Sequence, residues 1–291
     1  MARETCLPYG FQRGRTNDLS NVHERVKALY LTGQFSDLTI RFQGRKETIK
    51  AHRLILAMTS PVFEAKLFGH TAVGGELILT EDSPETFSWL MEYMYFDQTQ
   101  FPSTNMALEV SYLACKYEMN VLKYVCSEYL KRVLSDTNYL MVYNAAVHLD
   151  NPDLINKCSK KMYETSGDVF STQRITQLSR WALQHLLEQP FINIDEVVVF
   201  SAVLSWGRHQ LGLRNTGCTP SELRREIEDF LPYLRFLTMS TDEFVENVVP
   251  TEIFSPEEIC AILRNIKNVK GSPVPKACAN TREKRNKMVK F

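Results

Sequence analysis

The first stretch of the chain with a readable period begins near Ser20. Val22, Val26, Leu29 and Tyr30 recur at spacings of four, three and one, which predicts a helix with one apolar face, and Gly33 is placed to end it. From Asp37 the period changes to two. Leu38, Ile40 and Phe42 alternate with Thr39 and Arg41, the pattern of a half-buried strand. Gln43-Gly44-Arg45 can turn the chain into a second short strand through Ile49, and Glu76 to Thr80 reads as a third. Helical content returns between His52 and Met58.

Helix starts are punctuated by a hydroxyl followed by proline, at Ser60-Pro61, Ser83-Pro84, Thr219-Pro220 and Ser255-Pro256. Proline at the first helical position gives up no needed hydrogen bond, and the hydroxyl before it caps free amides. Glu222 and Glu258 complete two capping boxes. After Pro102 the pattern is helical throughout, with Leu122, Val125, Cys126, Tyr129, Leu130 and Val133 on one face. Mixed structure thus precedes an all-helical half, with a boundary expected near Ser135-Asp136. The residues before Ser20 show no period and are expected to form a loose arm. The stretch 269–291 carries Pro273 and Pro275, scattered charge and no apolar stripe, which predicts disorder.

At 291 residues, with 44% hydrophobic and 23% charged residues, the chain has room for two folded domains with ordinary cores. Its formal net charge is zero, which argues against whole-protein attraction to nucleic acid or to an acidic membrane surface. The charge is uneven, since Lys267 to Phe291 holds eight basic residues against the single acid Glu283. That run, Arg282-Glu283-Lys284-Arg285-Asn286-Lys287 above all, is either a localisation or nucleic-acid patch or a solvated tail, the latter being commoner. No apolar run approaches the roughly 20 residues of a membrane-spanning helix, and no secretory core opens the chain, so no membrane association is expected. Seven scattered cysteines without a Cys-x-x-Cys pair read as reduced thiols, mostly in the core. The expected location is the cytoplasm, or the nucleus if the basic run is an import signal.

The search for chemistry returns little. None of the six histidines pairs with Cys, Asp or Glu at metal-ligand spacing, and no phosphate-cradling glycine loop or nucleophile elbow is present. Neither catalytic residues, cofactor nor metal is expected. No two-Cys, two-His finger is present either, so sequence-specific nucleic-acid reading is not expected. Phe191, Phe200, Trp206, Phe230, Tyr233 and Phe236 sit in helical patterns and are more simply core than a cofactor box.

Two sets of motifs resemble known domains. Ser36-Asp37-Leu38-Thr39-Ile40-Arg41-Phe42, then Lys50-Ala51-His52-Arg53-Leu54-Ile55-Leu56-Ala57 and Ser60-Pro61-Val62-Phe63, resemble the BTB (POZ) signature. Pro84-Glu85-Thr86-Phe87, Met91-Glu92-Tyr93-Met94-Tyr95 and Leu113-Ala114-Cys115-Lys116-Tyr117 continue the likeness. The stretches Val197 to Trp206, Phe230 to Phe236 and Met239 to Phe244 are similar to the BACK domain that often follows it. Within that superfamily the chain most resembles BTB proteins whose BACK domain precedes a β-rich PHR domain, which has no counterpart in these residues.

The resemblance implies an α+β BTB/POZ domain, a short mixed sheet flanked by helices, followed by an all-α BACK domain. The expected division is a flexible arm at 1–19, a BTB domain at 20–134, a BACK domain at 135–268 and a basic, disordered tail at 269–291. It also implies a non-enzymatic homodimer whose interface includes Val22, Val26, Leu29 and Tyr30, against the simpler reading that this helix covers its own sheet. Asp37 and His52 are implied to be structural groups that bond backbone near that interface. The implied partners are the third cullin, for which the protein would recruit a ubiquitination target, and the target itself, which the sequence does not name. A dimeric scaffold or transcriptional cofactor that never meets a cullin is the alternative. In cullin-binding relatives the loop before the third strand carries an apolar residue, any residue, then glutamate. The aligned triplet here is Thr71-Ala72-Val73, so the implied cullin-facing residues His70, Thr71 and Val73 supply neither the anchor nor the acid.

Overall fold

The computed structural model describes residues 19, 21–70, 72–164, 168–189, 194–213 and 218–285. Thr71, Phe191, Cys6, the arm at 1–18 and the last six residues therefore lie outside the described residues. Contacts divide the chain into two compact units, Met1–Val133 and Leu134–Phe291.

In the first unit, helix α1 (Val22–Thr32) starts at Asn21, whose side chain accepts the Glu24 N–H at 2.8 Å. It ends at Gly33, left-handed at φ 64°, a conformation that costs glycine nothing. Strands β1 (Leu38–Phe42), β2 (Thr48–Ala51) and β3 (Glu76–Leu79) form a three-stranded sheet in the order β2-β1-β3. β1 runs antiparallel to β2, with Ile40 opposite Ile49, and parallel to β3, with Ile40 opposite Leu77. A parallel partner requires a crossover, which α2 (Arg53–Thr59) and α3 (Pro61–Phe68) supply. Leu38, Ile40, Phe42, Leu77 and Leu79 are buried, so the period-two pattern does divide core from solvent.

Ser60 joins the two crossover helices. Its hydroxyl accepts the Phe63 N–H at 3.2 Å, capping α3, and donates to the Tyr117 carbonyl at 2.6 Å. That bond holds Tyr117 where its ring stacks on Phe63 at 4.3 Å, with Phe87 edge-on to both. Helices α4 (Pro84–Phe96), α5 (Thr104–Lys116) and α6 (Asn120–Val133) complete the unit.

The second unit contains helices and no strand among its described residues. It contains α7 (Tyr139–His148), α8 (Pro152–Glu164), α9 (Thr172–Ile175), α10 (Arg180–Glu188), α11 (Glu196–Leu213), α12 (Pro220–Ile227), α13 (Thr241–Asn247) and α14 (Pro256–Ile266). Short 3-10 turns at Asp168–Phe170, Glu228–Tyr233, Phe236–Thr238 and Val249–Thr251 join them. The core is aromatic. Trp206 donates its indole N–H to the Leu178 carbonyl at 2.8 Å and meets Phe230 edge-on, while Phe236 is edge-on to Phe200, Phe244 and Phe254. Phe200, Trp206, Phe230 and Phe236 are thus core residues, and Tyr233 is half-buried. Both capping boxes read from the sequence are present, and Ser240 with Glu243 adds a third.

The expected disorder of 269–291 requires correction over 269–285. Cys278 and Arg285 are buried, and the Ala279 N–H donates to the Leu234 carbonyl at 3.1 Å. The segment lacks an apolar stripe because it docks through one thiol and one fully hydrogen-bonded guanidinium, neither of which has a period.

Candidate interaction surfaces

Helix α1 lies on α4 of its own chain. Ala28 is buried, and the Tyr30 ring packs against Tyr95 at 5.1 Å and Phe96 at 5.9 Å, with the Lys27 ammonium over Phe96. Burial, reinforced by Glu92, pushes the Tyr30 hydroxyl up to about 12. Of the residues expected at a dimer interface, Tyr30 is therefore largely committed within the protomer, Val26 and Leu29 are half-buried, and Val22 is 65% exposed. Helix α2 also packs on α4 and buries Leu56, yet leaves Leu54 63% and Met58 72% exposed. These two are four residues apart and share a helix face. An aliphatic face of this kind on a small domain is suited to burial against another protein.

Asp37 and His52 hold this corner in place. The Asp37 carboxylate accepts the Arg53 N–H at 2.8 Å at the start of α2. His52 Nε2 lies 2.7 Å from the Gln34 carbonyl just beyond α1, and Nδ1 lies 2.7 Å from the Tyr95 hydroxyl on α4. All these contacts tie backbone or framework side chains together.

The loop between α3 and β3 is fastened by Arg53, a residue not singled out in the sequence. Its guanidinium donates to the carbonyls of Val73 at 3.0 Å, Gly74 at 3.2 Å and Leu67, and lies 5.1 Å from the centre of the Phe68 ring. The Val73 N–H donates to the Lys66 carbonyl at 3.0 Å. Val73 is half-buried, His70 is exposed, and Phe68 presents a ring that is 57% exposed. No acid stands between Glu64 and Glu76. Arg53 leaves no signature because its acceptors are carbonyls up to 21 residues away.

Among the described residues, no group of three or more His, Cys, Asp or Glu could hold a metal ion. No helix there is long and apolar enough to cross a membrane. His185 meets the Tyr143 hydroxyl at 2.8 Å within the helical unit.

The sheet with its helical crossover, followed by a helical unit, agrees with two family models. The BTB/POZ domain model matches residues 26–134, and the BACK model, BTB And C-terminal Kelch, matches residues 139–249. The chain belongs to the BTB/POZ and BACK domain proteins. Human BTB/POZ domain-containing protein 6 is 26% identical over 220 residues, 75% of this chain and 41% of that protein. Human BTB/POZ domain-containing protein 9 is 27% identical over 250 residues, 83% of this chain and 39% of that protein. The BTB domain of zebrafish PATZ1, a solved structure, is 24% identical, with a TM-score of 0.33 and coverage of 37% of this chain and 86% of that one. The chain spans about two fifths of the length of these curated relatives, and they are named for their domains rather than for a reaction.

Proposed function

We propose that this BTB/BACK protein is a non-enzymatic dimeric adaptor that recruits a target protein to a cullin-RING ubiquitin ligase built on the third cullin. The observation that carries the reading is the aliphatic face left open on α2 by Leu54 and Met58, with Val22 exposed on α1, on a domain whose family is an interaction module. On this reading two copies meet through that face, and the pair holds its target at high effective concentration beside the ubiquitin-transferring machinery. No step of chemistry is asked of the chain itself, and its place of action is the cytoplasm.

The α3–β3 loop favours the second reading, a dimeric scaffold or transcriptional cofactor that binds no cullin. Thr71-Ala72-Val73 offers neither an apolar anchor nor a carboxylate, and a lost anchor of this kind typically weakens binding by roughly thirtyfold or more. The exposed Phe68 ring, held by Arg53, offers partial compensation. Calorimetric titration against the amino-terminal domain of the third cullin separates the two readings. Wild type is expected to bind at about micromolar affinity and the double variant Thr71→Leu, Val73→Glu about tenfold more tightly. Absence of binding by both would leave the scaffold reading. Nanomolar binding by wild type with no gain in the variant would refute the account of the loop.

A further inference from the structure

The basic run that the adaptor reading leaves unused enters the helical unit at Arg285. Arg282, Glu283 and Lys284 are exposed, but the side chain of Arg285 is 0% exposed. Its Nε donates to Glu196 Oε2 at 3.0 Å. Nη1 donates to the carbonyls of Leu187 at 2.7 Å and Gln189 at 3.1 Å, and Nη2 to the Tyr233 carbonyl at 2.8 Å and Glu196 Oε1 at 3.5 Å. A guanidinium has five N–H groups, and each has an acceptor here. A lysine ammonium, with three donors on one atom, cannot match that set.

The acceptors belong to the helical unit and not to the segment that brings Arg285. Leu187 and Gln189 stand at the end of α10, Glu196 begins α11, and Tyr233 closes a 3-10 turn. The Arg235 backbone N–H donates to Glu196 Oε1 at 2.8 Å, so the carboxylate is aimed by its own unit as well. The segment 278–285, by contrast, has no helix or strand. Besides Arg285 it is held by buried Cys278, by the Ala279 N–H and by the Arg235 guanidinium on the Glu283 carbonyl at 3.0 Å. Withdrawal of the segment returns the Arg285 and Glu196 charges to water, and the hydration regained offsets part of the Coulomb energy lost. A strap held this way can leave, and the cradle it leaves is complementary to another guanidinium. A cavity of about 150 Å³ beside it is lined by Asp195, Glu196, Glu243, Lys284 and Arg285 among others, so the lysine preceding the arginine also meets acid.

We propose that this cradle is an arginine-recognition site, occupied in cis by Arg285, that takes the Lys-Arg element of a basic peptide from a partner protein when the C-terminal segment withdraws. The proposal is independent of cullin binding, so either can fail alone.

Two measurements on the 291-residue chain test it. Thiol alkylation of wild type, read by mass spectrometry, reports withdrawal through Cys278. Local release requires Cys278 to react at least about tenfold faster than Cys126 and Cys158, which lie within packed helices, and equal rates would overturn the proposal. Second, a fluorescein-labelled peptide with the sequence of residues 279–287 is titrated against Arg285→Ala by anisotropy. Saturable binding is expected, about tenfold tighter than to wild type, whose own segment competes, and about tenfold tighter than for the peptide carrying lysine at the position of Arg285. Should Arg285→Ala fail to fold, Arg285→Lys, which keeps the charge but leaves the acceptors mismatched, is titrated against the same criteria. Absence of saturable binding, or equal binding of the two peptides, would overturn it.

Discussion

The Tyr95 hydroxyl and His52 form a closed pair of hydrogen bonds: the tyrosine oxygen accepts the His52 backbone N–H at 2.8 Å and lies 2.7 Å from the ring Nδ1. The proton positions follow from the third contact. A carbonyl only accepts, so in the neutral imidazole Nε2 donates to Gln34, Nδ1 is left as an acceptor, and the Tyr95 O–H donates to it. One histidine thereby links the end of α1, the start of α2 and the end of α4, the three helices around the proposed dimer face.

Tyr95→Phe is accordingly expected to destabilise the first unit by about 1–3 kcal/mol, since it leaves a buried backbone N–H and a ring nitrogen without partners. Urea unfolding monitored by fluorescence measures this. A change within about 0.5 kcal/mol of wild type would show that the pair is incidental.

In the helical unit, Gly207 lies where α11 meets α12. A Cβ there would stand 2.6 Å from Ile227 Cγ2 and 2.8 Å from Leu223 Cδ1. Gly207→Ala gains helix propensity of about 1 kcal/mol but incurs overpacking of about 1–3 kcal/mol, so the expected result is neutral to destabilising. A clear rise in melting temperature would mean that the two helices have room to part.

The strands and most helix starts were legible because alternation and capping are local and leave side-chain signatures. Leu38, Ile40 and Phe42 face the core as their spacing required, and Thr219 and Ser255 cap as their capping boxes required. The Ser240–Glu243 box was equally readable in Ser240-Thr241-Asp242-Glu243 but lacks the proline that drew attention to the others. Arg53 and Arg285 were not legible. Their acceptors are mainly carbonyls, which carry no residue identity, and Glu196 stands 89 positions from Arg285. The exposed face of α2 also escaped notice, because a helical run of apolar residues does not say which side another element will cover.

The capping boxes give the stability a pH dependence. Hydrogen bonds from Thr219 hold the Glu222 carboxyl below the usual glutamate range, and those from Ser240 do the same for Glu243. A carboxyl with a depressed folded pKa contributes stability that is present above its unfolded value, about 4.3, and is lost as pH falls through the folded value. Melting temperature should therefore fall on acidification below about pH 4.5, and less steeply in Glu222→Gln, Glu243→Gln than in wild type. Identical slopes would remove the caps from the explanation.

The central claim is that the open face of α2, with Val22 of α1, is a self-association surface, and sedimentation equilibrium of the 291-residue chain tests it most directly. At tens of micromolar the account predicts the mass of a dimer, about twice 33.6 kDa, for wild type. For Leu54→Glu, Met58→Glu it predicts a folded monomer, because both positions are solvent-exposed within a single protomer and the substitutions cost the monomer little. A monomeric wild type, or a variant that remains as dimeric as wild type, would contradict it.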